Sequence, residues 1–427
     1  MQIRFMASAV ACFGAVIASG GVSASGFQLL EQNASGLGSA YAGSAAVGDN
    51  ASTVFYNPAA ITKLKGMNVS AGVSLIKPSY KFKDEGSSNA PGPTGSNGGD
   101  AGDLAAVPNL YATWQLSDAW FAGVGFGAPF GLKTEYDNDW AGRFQSSTFD
   151  IKTYNINPSL AFKLSEKVSL GLGLNYQRME AMYQRQAATQ HPTVSAFNGV
   201  VQATTVTLDA TSEAFGWNAG ALFKVGESMD IGFSYRSKVF HRLEGTLNSN
   251  NQLVSPNVLA KADLTLPDTY ILSIVQRLDD RWEMLGDVSR TNWSSIDKVA
   301  IVRQSGSVAQ TLDARFRDTW RFALGGTYKI DDQWKWKYGF AYDQTPVRSA
   351  EERLVSLPDN NRYWLTTGVQ WKMDQASVVD LGAAYLYIPD SKVDADQASA
   401  ANGYRGHVVG SYKGSIVILG MQYSRSF

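Results

Sequence analysis

Few residues in this chain are of a type that does chemistry. The histidines are His191, His241 and His407, and none stands beside a nucleophile motif or forms a paired-histidine metal motif. All three are expected in long loops, where a histidine is ordinarily solvated. Asp100 and Asp103 lie in a Gly-rich loop, and two acids there do not make a metal site. No phosphate loop or EF-hand loop is present, and the sole cysteine, Cys12, falls in the first apolar run. The chain therefore offers no catalytic residue, no cofactor site and no metal site, and an enzyme is not expected. What it can offer is charge recognition. Trp320, Phe322 and Leu324 alternate with Arg321, and Ile231, Phe233 and Tyr235 precede Arg236 with the same alternation. On strands whose apolar face looks outward, both guanidinium groups look inward. Arg236 and Arg321 are thus candidates to meet a carboxylate, although Asp343 falls nearly opposite Arg321, and a structural cross-strand pair is the competing reading.

The elements that must hold these arginines are strands. Met67, Val69, Ala71, Val73 and Leu75 share one face and Asn68, Ser70, Gly72 and Ser74 the other, the period-two pattern of a half-apolar strand. Six hairpins follow, with tight turns at Ser117-Asp118, Ser165-Glu166, Gly226-Glu227, Asp279-Asp280, Asp331-Asp332 and Met373-Asp374, and a final strand runs to Phe427. The strand number is about fourteen, with short turns at one end and long connections at the other, the layout of an outer-membrane barrel. The long connections are expected at 81–106, 131–152, 181–212, 241–266, 293–318, 345–360 and 389–410. Trp114, Trp120, Trp282, Trp334, Trp336 and Trp371 gather beside the short turns, as side chains of a headgroup-level girdle do.

Composition agrees with that compartment. Arg4 followed by the apolar run from Phe5 to Ala18 and by Val22-Ser23-Ala24 reads as an export signal over 1–24. With Lys+Arg 37 against Asp+Glu 38, well mixed, there is no basic footprint for nucleic acid. No segment after the signal reaches the roughly 20 apolar residues of a spanning helix. A chain like this crosses a membrane only as a closed sheet, in which each backbone group is paired between strands. The stretch 25–66 does not alternate and is rich in Gly, Ala and Ser. It is too short to bury a core alone and fits as a plug inside the barrel of 67–427.

The sequence resembles the FadL family of outer-membrane long-chain fatty acid transporters, which includes aromatic-hydrocarbon transporters of TodX type. The resemblance is carried by SGFQLLEQNASGLGSAYAG with VFYNPAAIT, by GAPFGLKTEY with WAGRF, and by LPDTYILSI, DVSRTNWSSIDKV, DTWRFALGGTYKI, YGFAYDQTPV and LPDNNRYWLTTGV. It implies an all-β fold, a transmembrane antiparallel barrel with an N-terminal hatch, in the outer membrane of a Gram-negative bacterium. It further implies passive uptake through an extracellular groove, an inner apolar pocket and a lateral opening at a kinked third strand. The partners it implies are hydrophobic small molecules and outer-membrane lipid; a monomer is expected. Fatty acids, aromatic hydrocarbons and, as a rival reading, hydrophilic solutes of a porin all remain open at this point.

Within that frame the third strand carries Gly123, Gly125 and Gly127 before Pro129, Phe130 and Gly131. Proline donates no ladder hydrogen bond and glycine weakens a strand, so this stretch is expected to bulge and gate the wall. The same glycines could instead make room for the plug. Asn57, Pro58 and Ala59 match the family's hatch signature. In loops three and four, Phe197, Val200, Leu253, Val254 and Val258 are apolar where a solvated loop needs no such residues, which makes them groove candidates.

Overall fold

The computed structural model describes residues 26–88, 90–91, 94–188, 203–250, 257–399 and 402–427. The expected export signal lies outside these residues, as do the groove candidates Phe197, Val200, Leu253 and Val254. The first strand, Met67–Asp84, pairs antiparallel with the last, Gly406–Ser426, from Asn68↔Ser426 to Asp84↔Gly410, and on its other side with Ala105–Gln115. The sheet therefore closes on itself and leaves no edge for lipid to solvate. Among the described residues the sheet has 19 ladder segments, and they merge into fourteen strands because five strands are each broken in two. The third strand is Trp120–Gly127 and Gly131–Glu135; the seventh is Met229–Arg236 and Val239–Ser249; the eighth is Val258–Leu266 and Thr269–Arg277. The ninth is Trp282–Thr291 and Lys298–Arg303, and the tenth is Val308–Asp313 and Thr319–Lys329.

The alternation assigns the faces as expected. Ser70 and Ser74 are buried on the inside of the first strand while Leu75 is exposed, and Leu172, Phe215, Leu324 and Leu365 look outward elsewhere on the wall. All six short turns stand where the sequence places them. Their aspartates have a local reason: the Asp279, Asp331 and Asp374 carboxylates each accept two backbone N–H groups, one two and one three residues ahead. Trp114, Trp120, Trp334, Trp336 and Trp371 are exposed at this end, with Trp334 stacked on Trp371 at 5.6 Å. A second band, from Trp217 through Tyr235 to Tyr270, marks the opposite interface.

The long connections are not simply loops. Val168–Ala188 and Ala203–Val225 stay paired from Val168↔Phe223 to Ala188↔Ala203, so much of the expected loop at 181–212 is wall. Segments of the connections at 241–266, 293–318 and 389–410 are likewise laddered. The physical reason is an inversion of polarity. Beyond the membrane the outside is water and the inside is the molecule's own core. There Val206, Leu208, Leu243 and Leu264 point inward and buried, while Arg242 and Asp263 pair on the outside at 3.0 Å. An apolar-in strand that continues an apolar-out strand reads as a break in the pattern. His241, expected to be solvated, is 0% exposed in the seventh strand and bonds Gln177 at 2.9 Å, and His407 bonds the Asp394 carboxylate. His191 lies outside the described residues.

From Gly26 to Gly66 the chain forms short turns, Leu37–Ser39 and Pro58–Lys63, and one helical turn, Thr53–Tyr56. This N-terminal segment lies against the inward face of the wall. Lys337 donates to the Ser35 carbonyl at 3.0 Å and to Asp380 at 2.9 Å; the Ser44 hydroxyl donates to Asp287 at 2.8 Å; Lys63 pairs with Asp230 at 3.0 Å. The approach is so close that the wall needs glycine. A Cβ on Gly220 would lie 1.8 Å from Asn57 Oδ1, and one on Gly232 would lie 2.0 Å from the Ala45 carbonyl oxygen.

Gly220→Ala should therefore push the Asn57 turn off the wall at a cost of about 1–3 kcal/mol. Hydrogen exchange should show faster exchange of the amides of 57–63 with the barrel strands unchanged, and unchanged protection of 57–63 would refute the close-packing account.

Candidate ligand site at the broken third strand

Pairing between the second and third strands runs from Gln115↔Phe121 to Leu110↔Phe126 and stops there. The second strand's Ala105–Asn109 then keeps its partners on the first strand alone, while Gly131–Glu135 pairs only with the fourth. Between the two halves, Ala128 to Gly131 turns to the N-terminal segment. The Gln32 side chain bonds both backbone groups of Ala128, accepting at 3.1 Å and donating at 2.8 Å. Leu29 N–H donates to the Pro129 carbonyl at 2.8 Å, and Gly131 N–H donates to the Phe27 carbonyl at 2.9 Å. Residues 27–32 thus take the hydrogen bonds that the second strand would have made, as an unladdered backbone in a membrane requires. Phe130 N–H is held by Thr153 Oγ1 at 2.9 Å, which fixes the direction of its ring.

The glycines before the break do make room for the N-terminal segment: a Cβ on Gly123 would meet Val54 at 2.7 Å and one on Gly127 would meet Gln32 at 2.4 Å. The strand is also interrupted over 128–130, around Pro129, as a residue with no ladder N–H leads one to expect.

Phe130 does not point into empty space. Its ring lies 6.0 Å from Phe27 of the N-terminal segment and 6.2 Å from Trp293, and Phe27 and Trp293 are 5.1 Å apart. Phe316 lies 6.1 Å from Trp293 on the far side. Leu264, Leu266, Val347 and Leu357 complete a buried apolar cluster in which widely separated parts of the chain converge, the candidate apolar site. Sequence reasoning misses Trp293, which falls at the start of the long connection expected at 293–318. The signal was there in Asn292-Trp293-Ser294, a lone aromatic in a polar stretch, but nothing in the stretch tells inward from outward. Val258, the one described groove candidate, is half-buried against this same cluster.

A cavity of mixed character adjoins it, lined by Arg236, Arg321, Asp287 and Asp343 from the wall and by Leu30 and Phe55 from the N-terminal segment. Both arginines point inward, as their parity requires. Arg236 lies 4.1 Å over the Phe55 ring, donates to the Phe55 carbonyl at 2.8 Å and also bonds Asn175. Arg321 donates to the Ala40 carbonyl at 2.6 Å, lies 5.3 Å over Trp364 and has Asp343 as its register partner. These contacts anchor the N-terminal segment, so a bound carboxylate would have to share both groups with it. Glu31 sits nearby, fully buried, with one carboxylate oxygen lacking a hydrogen bond. Burial pushes its carboxyl up to about 7, opposed by a backbone hydrogen bond and by Arg362 and Arg321.

Asn57, Pro58 and Ala59 dock elsewhere on the wall. Asn57 Nδ2 donates to the Ala45 carbonyl at 2.6 Å and to that of Ala221 at 3.1 Å, while its Oδ1 caps the following turn at Ala59 N. Pro58 begins that turn, where its missing N–H costs nothing. The tripeptide meets the fifth and sixth strands, whereas Phe130 is met by Phe27.

Residues 15–427 match the family described as outer membrane protein transport protein, OMPP1/FadL/TodX. A long-chain fatty acid transport protein of Salmonella typhi is 31% identical over 412 residues, covering 91% of this chain and 93% of that protein. Outer membrane protein P1 of Haemophilus influenzae is 33% identical over 408 residues, covering 87% and 88% respectively. The solved FadL homologue of Pseudomonas aeruginosa shares the fold with a TM-score of 0.84 at 23% identity, over 94% of this chain and 100% of that one.

A carboxyl whose folded value is raised keeps its proton in the folded chain after the unfolded chain has lost it. Stability therefore falls as pH rises from about 4.5 towards 7. Glu31→Gln removes this dependence, so the variant should gain on the parent by up to about 3 kcal/mol across that window in urea titrations. A gap that stays constant with pH would contradict the buried, protonated carboxyl.

Proposed function

From the premise that the chain belongs to the OMPP1/FadL/TodX family of outer-membrane transport proteins, we propose that it carries long-chain fatty acids through the apolar site bounded by Phe27, Phe130 and Trp293. The protein sits in the outer membrane and moves hydrophobic compounds; it is not an enzyme. The observation that carries the finer reading is the convergence of these three rings at the point where the wall is not laddered to the second strand. An apolar ligand that reaches them from outside is next to a gap through which it can leave sideways into lipid. Movement needs no energy source, because transfer of an alkyl chain from water to an apolar site and on to a bilayer is downhill, about 0.8 kcal/mol per CH₂ from water.

In this reading residues 25–66 are the hatch, Pro129, Phe130 and Gly131 are the gate, and ligand leaves when residues 27–32 release Ala128 to Gly131. Binding couples to gating because Phe27 and Phe130 are at once ligand contacts and neighbours of the hydrogen bonds that hold the break. The curated relative named for long-chain fatty acid transport favours a fatty acid over an aromatic hydrocarbon, as does a site next to a cavity lined by two arginines.

Deleting Phe130 and Gly131 should allow the third strand to ladder straight across the gap. Uptake of a radiolabelled long-chain fatty acid should fall to background while the barrel remains folded by its heat-modifiable mobility on gels. Wild-type uptake in that variant removes the lateral gate. Extraction of the purified parent chain followed by mass spectrometry identifies what it carries: a fatty acid is expected, and an aromatic hydrocarbon would move the substrate assignment to the other branch of the family.

A further inference from the structure

Among the interruptions of the wall's ladder, the one between the eighth and ninth strands borders the same apolar cluster as the broken third strand. The eighth strand pairs with the ninth at Ala260–Ala262↔Arg303–Ile301 and again from Thr269↔Thr291 onward. Between these points, residues 263–268 face 292–300 without a ladder. What bridges them is sparse. Asn292 N–H donates to the Asp268 carbonyl at 3.0 Å, its side-chain amide donates to the Asp268 carboxylate at 3.1 Å, and the Ser295 hydroxyl donates to the Thr265 carbonyl at 3.0 Å. Pro267 lies in the same stretch and has no N–H to offer.

The two sides of this weak seam differ. On the inside is Trp293, carried on the turn Trp293–Ser295 and 0% exposed, with its indole N–H buried and lacking an acceptor. It forms one wall of the apolar site. On the outside is an open notch floored by Tyr270, Leu272 and Trp320 and rimmed by Asp268, Asn292 and Lys238. Ile271 lines both this notch and the arginine-lined cavity inside, so the two lie on either side of the same strand. The notch's acids are already engaged: Asp268 accepts from Asn292, and Asp318 pairs with Arg290 at 3.0 Å. Among the described residues Lys238 has neither an ion pair nor a hydrogen bond. Tyr270 belongs to the outer aromatic band and lines the notch, which sets the notch at the level of lipid headgroups on the extracellular side.

From this we infer that the seam between the eighth and ninth strands is a second lateral port, closed by Trp293, which connects the inner apolar site to the outer leaflet of the membrane. Its ligand is a single-chain amphiphile with a carboxylate head, already dissolved in that leaflet. The chain lies along Tyr270, Leu272 and Trp320 while Lys238 meets the head. A turn of Trp293 away from the seam then joins the notch to the site at Phe27 and Phe130. That turn breaks no hydrogen bond of the indole N–H, and what it must give up is the ring's packing on Phe27, Phe130 and Phe316. This inference rests on the reading of the apolar site as the transport site, and it adds a way in that bypasses the extracellular loops.

The test is a staple across the seam. The Asp268 and Asn292 side chains bond one another from adjacent backbones, the placement that a disulfide can replace. Cys12 is the sole native cysteine, and a Cys12→Ala background removes it where it is retained. Cells without a transporter of their own would express Asp268→Cys/Asn292→Cys, and uptake of radiolabelled oleate would be followed after oxidation and after reduction, beside the cysteine-free parent. We expect oxidation to slow uptake at least twofold and reduction to restore it, with the parent indifferent to both. Equal rates in the two redox states, with the disulfide confirmed by mass, would overturn the port. Should that pair not fold, Thr265→Cys/Ser295→Cys spans the same seam and is read the same way. Failure of the underlying transport reading looks different: the parent itself would then take up no oleate above cells lacking the protein, and the port would fall with it.

Discussion

Everything in this molecule depends on one constraint: backbone N–H and C=O groups that cross a bilayer must be hydrogen-bonded within the protein. Closure of Met67–Asp84 onto Gly406–Ser426 meets it for the wall as a whole. The informative places are where the ladder fails and something else must take over. At Ala128 to Gly131 the substitutes are Phe27, Leu29 and Gln32, so the break in the third strand exists only because the N-terminal segment is there to satisfy it. At 265–268, at the level of the outer aromatic band, the substitutes are one backbone bond and two side-chain bonds from Asn292 and Ser295, a much thinner seal.

Both breaks border one apolar site, and the site inherits its chemistry from them. Phe130 and Trp293 can reach the lumen because their backbones leave the regular ladder, and Phe27 reaches both because it lies beside the first break. The wall contributes glycine where the N-terminal segment must come close and arginine where its carbonyls need donors. Gly220 and Gly232 make the first point; Arg236 on Phe55 and Arg321 on Ala40 make the second. In the proposed transport route, passage of an apolar molecule exchanges one set of hydrogen bonds for another beside these aromatic rings.

Much of the barrel was legible in the sequence, because a two-residue period with lipid outside writes polarity into every strand. The turns were legible for a local reason, since an aspartate at 279, 331 or 374 caps the backbone ahead of it. Legibility ends where the solvent changes. Val206, Leu243 and Leu264 continue the strands outward with inverted polarity, so the extended hairpins and the burial of His241 were read as loops. Parity gave the inward direction of Arg236 and Arg321. It did not give their partners, because Phe55 and Ala40 belong to a segment with no period of its own. Trp293 was hidden for a similar reason: a side chain at a broken register has no face until the break is seen.

The central claim is that Phe27, Phe130 and Trp293 together line the path of an apolar ligand. A fatty acid bearing a diazirine near its methyl end, photolysed on the purified full chain in lipid nanodiscs, tests it most directly through the peptides that become labelled. The account predicts label on peptides containing Phe27, Phe130 and Trp293, competed away by unlabelled fatty acid. Label confined to lipid-facing residues such as Leu172, Leu324 and Leu365, unchanged by competitor, would contradict it.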